Sequence, residues 1–228
     1  MSKDIPELLR SACEGIQPTF ICGACCCGKT TLTAIVARLL TGTIMLDTSA
    51  VIDYEKRQRT RLGKLFLEHE RDMPPGGLMP DRETLEAIAK HLEKARVKGY
   101  TRALVVGTPR TGQQAEWIVD SGIDYGAIHL KSTPERLEAN LKRRKRRDDQ
   151  WFRERMTIYN EMTVPAFDLL EVGCPQNQYI TVPIGSPVDT IMSIAGLCLR
   201  WHDESIGRFV RILNSDNNPA IHEIAALT

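Results

Sequence analysis

Eight consecutive residues, Gly23-Ala24-Cys25-Cys26-Cys27-Gly28-Lys29-Thr30, set two glycines, a lysine and a threonine at the spacing GxxxxGK[ST]. Glycine lets a backbone turn its N–H groups inward around phosphate oxygens. A helix starting directly after such a loop adds unpaired N–H groups and the positive end of a dipole. Lys29 can then reach the outer phosphates, and the Thr30 hydroxyl can take a place on magnesium. The string predicts a phosphate-gripping loop for ATP, with Gly23, Ala24, Cys25, Cys26, Cys27, Gly28, Lys29, Thr30 and Thr31 as its contacts and Mg²⁺ as its metal. Cys22 and Cys25 have CxxC spacing, but no second pair or histidine couple sits at a zinc-like distance. The three loop cysteines therefore read as small side chains packed under the loop. Seven irregularly spaced cysteines also argue against a disulfide framework.

The elements around this loop fit what it needs. Thr19-Phe20-Ile21-Cys22 reads as a buried strand and residues 29–40 as a helix, with Leu32, Ile35, Val36, Leu39 and Leu40 at helical spacing. Further strands are expected at 43–46, 103–107, 127–130 and 179–182. Helices are expected at 82–98, 113–120, from Pro134 onward, and at 187–199. Asp47-Thr48-Ser49 offers a helix cap, and 73–81 is a turn-rich break. Strands alternating with helices predict an α/β fold of P-loop NTPase type: a five-stranded parallel sheet with helices on both faces. Ligands of such sheets bind at the carboxyl ends of the strands.

Composition excludes several classes. With 42% apolar and 26% charged residues and a net charge of +1, the 228-residue chain has no basic field for nucleic acid. No run approaches the roughly eighteen apolar residues of a membrane span, and the first residues lack the apolar core of a signal peptide. The chain reads as a cytoplasmic monomer without nucleic-acid or membrane partners.

The segment Gly107-Thr108-Pro109-Arg110-Thr111-Gly112-Gln113-Gln114-Ala115-Glu116 is similar to the DGFPRTxxQAE segment of adenylate kinases. Arg146-Arg147-Asp148-Asp149, then Arg155, Tyr159, Thr163 and Pro165, resemble the family's R-x-DD…R…Y…T-x-P pattern. Leu78-Met79-Pro80-Asp81 resembles its LVPD turn, and Leu62-Gly63-Lys64 also falls in place. The likeness runs in one order over about residues 17–200. It implies transfer of the γ-phosphoryl group of ATP to a nucleoside monophosphate, most simply AMP.

On that resemblance Arg110 grips the acceptor phosphate, Gln114 reads the edge of its base, and Gly107, Thr48 and Met79 complete the acceptor side. Arg144, Arg146 and Arg155 converge with Lys29 on the transferring group. The domain spans 1–200, with an acceptor-binding insert at about 48–82, a minimal lid at about 143–149 and an extension at 201–228. The run 142–147 holds six successive cations, which a bound polyphosphate would relieve of mutual repulsion.

The chain departs from the family at Val106, where an aspartate organises magnesium, and at Asp53, where an arginine follows the STGD turn. Lys145 alone separates Arg144 from Arg146, and Asn140 stands where an arginine meets the adenine. The stretch 47–53 looks like the DTDxxIE segment of shikimate- and gluconate-type kinases, so Asp47 either takes over the role missing at Val106 or is an ordinary helix cap. Two other readings remain: a kinase of a small hydroxylated metabolite, which Asp53 would favour, and a nucleotide-binding sensor with weak chemistry.

Overall fold

Strands β1 (Gln17–Gly23), β2 (Thr43–Asp47), β3 (Arg102–Val106), β4 (Gly126–Lys131) and β5 (Tyr179–Pro183) pair in the order β2-β3-β1-β4-β5, every pair parallel. The computed structural model describes residues 4–144, 147–175 and 178–213. All five expected strands are present, their ends within two residues of the expected ones. A parallel pair cannot be closed by a tight hairpin, so each strand returns through a helical crossover.

Side chains alternate across the sheet and sort the core into two layers. Phe20, Ala103, Val105 and Ala127 join one apolar cluster, while Ile21, Leu104, Val106, Ile128 and Leu130 join the other. The first is covered by α1 (Ile5–Ala12), α3 (Thr48–Arg57), α4 (Arg61–Asp72), α5 (Asp81–Val97), α6 (Gly112–Asp120) and α9 (Val164–Gly173). The second is covered by α2 (Lys29–Leu39), α7 (Pro134–Arg144), α10 (Pro187–Cys198) and α11 (Asp203–Leu213). The short α8 (Phe152–Ile158) follows a 3-10 turn at Arg147–Trp151 and leads into a π-helical turn at Tyr159–Thr163. No described helix is long and apolar enough to cross a membrane.

Several helices were not anticipated, among them α1, α4, α9 and α11. Asp4 caps α1 by accepting from Ile5 N–H, and Ile5 and Leu9, one turn apart, are fully buried. Beyond residue 200, α11 buries Phe209 and Leu213, again one turn apart, in the cluster that holds α2. The core thus continues into what the sequence presents as a polar extension.

One buried charge fastens the wall formed by α3, α4 and α5. The Glu55 side chain is fully buried, with Oε2 3.0 Å from Lys90 Nζ and Oε1 3.0 Å from His91 Nε2. The Thr60 hydroxyl, at the N-cap of α4, donates to the same carboxylate. Burial alone would raise the Glu55 pKa, but the hydrogen bonds from Thr60, Lys90 and His91 outweigh it and hold the carboxyl at about 2. A carboxyl depressed on folding contributes stability that is complete above its unfolded pKa and is lost as pH falls through the folded one. Urea denaturation at pH 6 and pH 3 should therefore show wild type losing about 2 kcal/mol more than Glu55→Gln. Equal losses in the two proteins would remove Glu55 as the source.

Candidate functional site

The site is built where β1 ends and the chain must reverse into α2. A Cβ at Gly23 would lie 2.7 Å from Cys27 Sγ and 2.9 Å from the Leu130 carbonyl oxygen, so only glycine fits beside β4. The reversal then uses left-handed backbone at Cys26 (φ 65°) and Gly28 (φ 89°), which caps α2. Such a φ is ordinary for glycine and uncommon for cysteine. The Lys29 ammonium folds back over the loop and donates to the Ala24 carbonyl at 3.0 Å. Cys25, Cys26 and Cys27 are all buried, and Cys27 joins the apolar core.

Asp47 ends β2 and divides its carboxylate between two tasks. Oδ1 accepts from the N–H groups of Ser49 (2.9 Å) and Ala50 (3.2 Å), capping α3. Oδ2 accepts from the Thr30 hydroxyl at 3.1 Å. The two alternatives for Asp47 are therefore compatible, one per oxygen. Asp47 is also the register partner of Val106, so its carboxylate ends the strand next to the one where the resemblance expects it. Thr30 Oγ1 and Asp47 Oδ2 are hard oxygen donors of the kind Mg²⁺ takes, together with phosphate oxygens and water. No cluster of three or more His, Cys, Asp or Glu suited to a metal exists among the described residues.

Beside the loop lies a pocket of about 430 Å³, its open mouth included. Lys29, Arg110 and Arg155 line it with Cys22, Cys25, Tyr159 and Thr163, and among the described residues no carboxylate does. Burial pushes the Cys22 thiol up to about 12, so that wall is neutral. Arg110 is held from several sides. Its Nε donates to the Gly107 carbonyl at 3.3 Å, and its own carbonyl accepts from the Thr163 hydroxyl at 3.2 Å. Gly107 turns the chain off β3 with φ 82°. Burial, and then the neighbouring Arg155, lower the Arg110 pKa below the usual guanidinium value. Two guanidinium groups facing one pocket repel each other, and an anion between them reverses that term.

A second, wider cleft of about 1030 Å³, again including open solvent, runs along the other side of the loop. Cys26 to Leu32 form one bank, and Arg136, Asn140, Arg143, Ile184 and Pro187 form the other. The Asn140 amide donates to the Cys26 carbonyl at 2.9 Å and accepts from Arg143 Nη2 at 2.9 Å. Arg136 is fixed by the carbonyls of Gly185 (2.6 Å) and Ile184 (3.3 Å). Lys29 lines both cavities.

The expected site residues divide clearly. The 23–31 loop, Lys29, Thr30, Asp47, Gly107, Arg110 and Arg155 come together. Arg146 lies outside the described residues, and so does the side chain of Arg144, which ends α7. Gln114 is not free for a base edge: Oε1 accepts from the Arg110 backbone N–H at 2.8 Å and Nε2 donates to Asp81 Oδ1 at 2.8 Å. The Thr48 hydroxyl is buried, donating to the Val106 carbonyl at 2.8 Å and lying 2.8 Å from Thr108 Oγ1. Met79 packs against the apolar core rather than lining either cavity. Arg136 and Arg143 were not singled out, although their seven-residue separation puts them on one face of α7.

No protein-family model matches this chain, and no curated protein matches it closely.

Gln114 thus braces the loop that carries Arg110. Gln114→Ala leaves the half-buried Arg110 N–H without its acceptor and Asp81 Oδ1 with the Thr111 hydroxyl as donor, an effect of about 1–3 kcal/mol. Chemical denaturation should report that loss in the absence of any ligand. An unchanged midpoint would mean that the amide is dispensable to the loop.

Proposed function

We propose that the chain transfers the γ-phosphoryl group of ATP to a small phosphorylated acceptor, a nucleoside monophosphate and most simply AMP. The observation that carries this reading is Lys29 standing in the wall between the wide cleft and the three-cation pocket. Two cavities that meet at one lysine suit a reaction between two bound molecules, and phosphoryl transfer needs alignment and charge neutralisation more than covalent chemistry. ATP occupies the wide cleft, its phosphates on the 23–30 loop, and the acceptor phosphate enters the pocket between Arg110 and Arg155. An acceptor oxygen attacks the γ-phosphorus as the bond to the β-bridging oxygen breaks, giving two diphosphates. Lys29, Arg110 and Arg155 oppose the negative charge on the reacting oxygens. Thr30 and Asp47 would hold magnesium, which would supply charge withdrawal from the donor phosphates.

The lining of the pocket favours a phosphorylated acceptor over a hydroxylated one. A sugar or shikimate-type hydroxyl would call for a carboxylate base, and Asp53 is exposed on α3 and lines neither cavity. Because the Gln114 amide is engaged at both ends, the choice of adenine rests on the sequence resemblance.

Measuring ADP formation from ATP with AMP, UMP, CMP, shikimate or gluconate tests the reading. AMP should support the fastest turnover, and a chain that turns over none of the five is not a kinase of this kind. Arg110→Ala should weaken monophosphate binding about thirtyfold or more, since losing one partner of a desolvated charge pair costs about 2–5 kcal/mol. ATP binding alone should change little in that variant. Calorimetric titration of each nucleotide separates the two effects.

Asp47→Asn keeps the cap, for which asparagine and aspartate are equivalent, and removes the charge near Thr30. Its urea midpoint should stay close to wild type while the magnesium needed for half-maximal ATP binding rises severalfold. An unmoved magnesium titration would leave Asp47 as a cap alone.

A further inference from the structure

His129 is an unexpected residue for the middle of a buried parallel strand. It lies between Ile128 and Leu130 on β4, only 2% exposed, and is the register partner of Cys22. Its ring tilts against Phe167 of α9, with centroids 5.8 Å apart, and meets Tyr159 edge-on. Its Nε2 lies 2.7 Å from the Tyr159 hydroxyl. Tyr159 in turn lines the three-cation pocket. A polar group this deep in the sheet is retained only where it has a partner, and here the partner faces the pocket.

The backbone aims Tyr159 at that pocket. Tyr159 opens the π-helical turn, its carbonyl accepting from the Val164 N–H, and Thr163 closes it. Both ends of this one turn line the pocket, and Thr163 also holds the Arg110 carbonyl. Arg155 lies one turn earlier on the same helical run and lines it too. A π-helical turn is rare and recurs at functional sites.

We propose that the Tyr159 hydroxyl is an anion-binding donor of this pocket and that His129 is its positioning residue. The proposal rests on the reading that the pocket takes a phosphate group. A neutral imidazole carries one N–H donor and one acceptor nitrogen. Burial, and then Lys131, lower the His129 pKa against the opposing effect of Asp168, so the ring is neutral at pH 7. Burial likewise raises Tyr159, which keeps its proton. Two arrangements share the 2.7 Å contact. In one, the phenol donates to an unprotonated Nε2. In the other, Nε2–H donates to the phenol oxygen and frees the phenolic proton for the pocket. An anion among Lys29, Arg110 and Arg155 stabilises the second, so filling the pocket shifts the neutral ring from its Nδ1–H to its Nε2–H tautomer, one proton leaving Nδ1 as one arrives at Nε2. Tyr159 then adds a donor without adding a fourth positive charge.

The test uses the full chain with ¹⁵N-labelled histidine and ¹³C-labelled isoleucine methyl groups, titrated with inorganic phosphate. The Ile158 methyl, in the pocket wall, reports occupancy, and the His129 ring nitrogens report the tautomer. As Ile158 saturates, Nε2 should move from an unprotonated to a protonated resonance. Tyr159→Phe should weaken the Ile158-detected binding about tenfold, in line with a hydrogen bond to a charged group. His129→Leu should match that loss, whereas His129→Gln, which keeps an N–H donor, should stay within about twofold of wild type. The proposal is overturned if Ile158 does not respond to phosphate, if it saturates while Nε2 is unmoved, or if Tyr159→Phe binds as well as wild type. A chain that passes this titration yet forms no ADP keeps the assignment and loses the kinase reading. One that phosphorylates AMP with an unmoved Nε2 keeps the kinase reading and loses the assignment.

Discussion

The parallel pairing of β1 with both β3 and β4 is the constraint from which the site follows. Because all three strands run the same way, their carboxyl ends open on a single edge, and every crossover must pass over that edge or start from it. Gly23 leaves β1 there with no room for a side chain, and Gly107 leaves β3 there with a left-handed turn. The first exit leads into α2 and brings Lys29 and Thr30. The second brings Arg110, and β2, paired on the far side of β3, delivers Asp47 to Thr30.

Bringing cations together in a partly enclosed space is unfavourable, and the local hydrogen bonds read as a response to it. Lys29 leans on the Ala24 carbonyl, while Arg110 is held through Gly107, Thr163 and the Gln114–Asp81 brace. Each of these partners is neutral where it meets the cation or acts through the backbone, so the contacts fix position without cancelling charge. Gln114 and Thr48 both spend their side-chain hydrogen bonds on holding this frame together.

The sheet, its strand sequence and the loop were legible because each rests on a local signal: apolar runs four or five residues long, a glycine at the turn, a helical period after it. Asp47 was legible as a carboxylate at a strand end, but its division between Ser49 and Thr30 depends on tertiary approach. The contacts of Gln114 were not legible for a related reason. A motif gives residue type and spacing, and only the packing of Asp81 against α6 determines which way the amide faces. The helices α1 and α11 were missed although each carries an apolar stripe, Ile5, Leu8, Leu9 and Ala12 in the first and Ile206, Phe209, Val210 and Leu213 in the second. His129 gave no signal at all in the sequence, since its partner lies thirty residues away in a turn that no periodicity predicts.

The strand order also has a consequence for how the chain is made. The strand at the centre of the sheet is an early one: Gln17 waits for Arg102, and Thr19 for Gly126. While the ribosome extends the chain, Phe20 and Ile21 have no partner strand on either side, and local helices such as α2 and α3 can form well before the sheet. Closure over such separations is slow relative to local structure, and an unpaired apolar strand is a template for wrong pairing. The same central position that later shields the loop from strain makes its strand the most exposed to misassembly during synthesis, and a chaperone that covers residues 17–23 until residue 131 has emerged would act where the hazard lies.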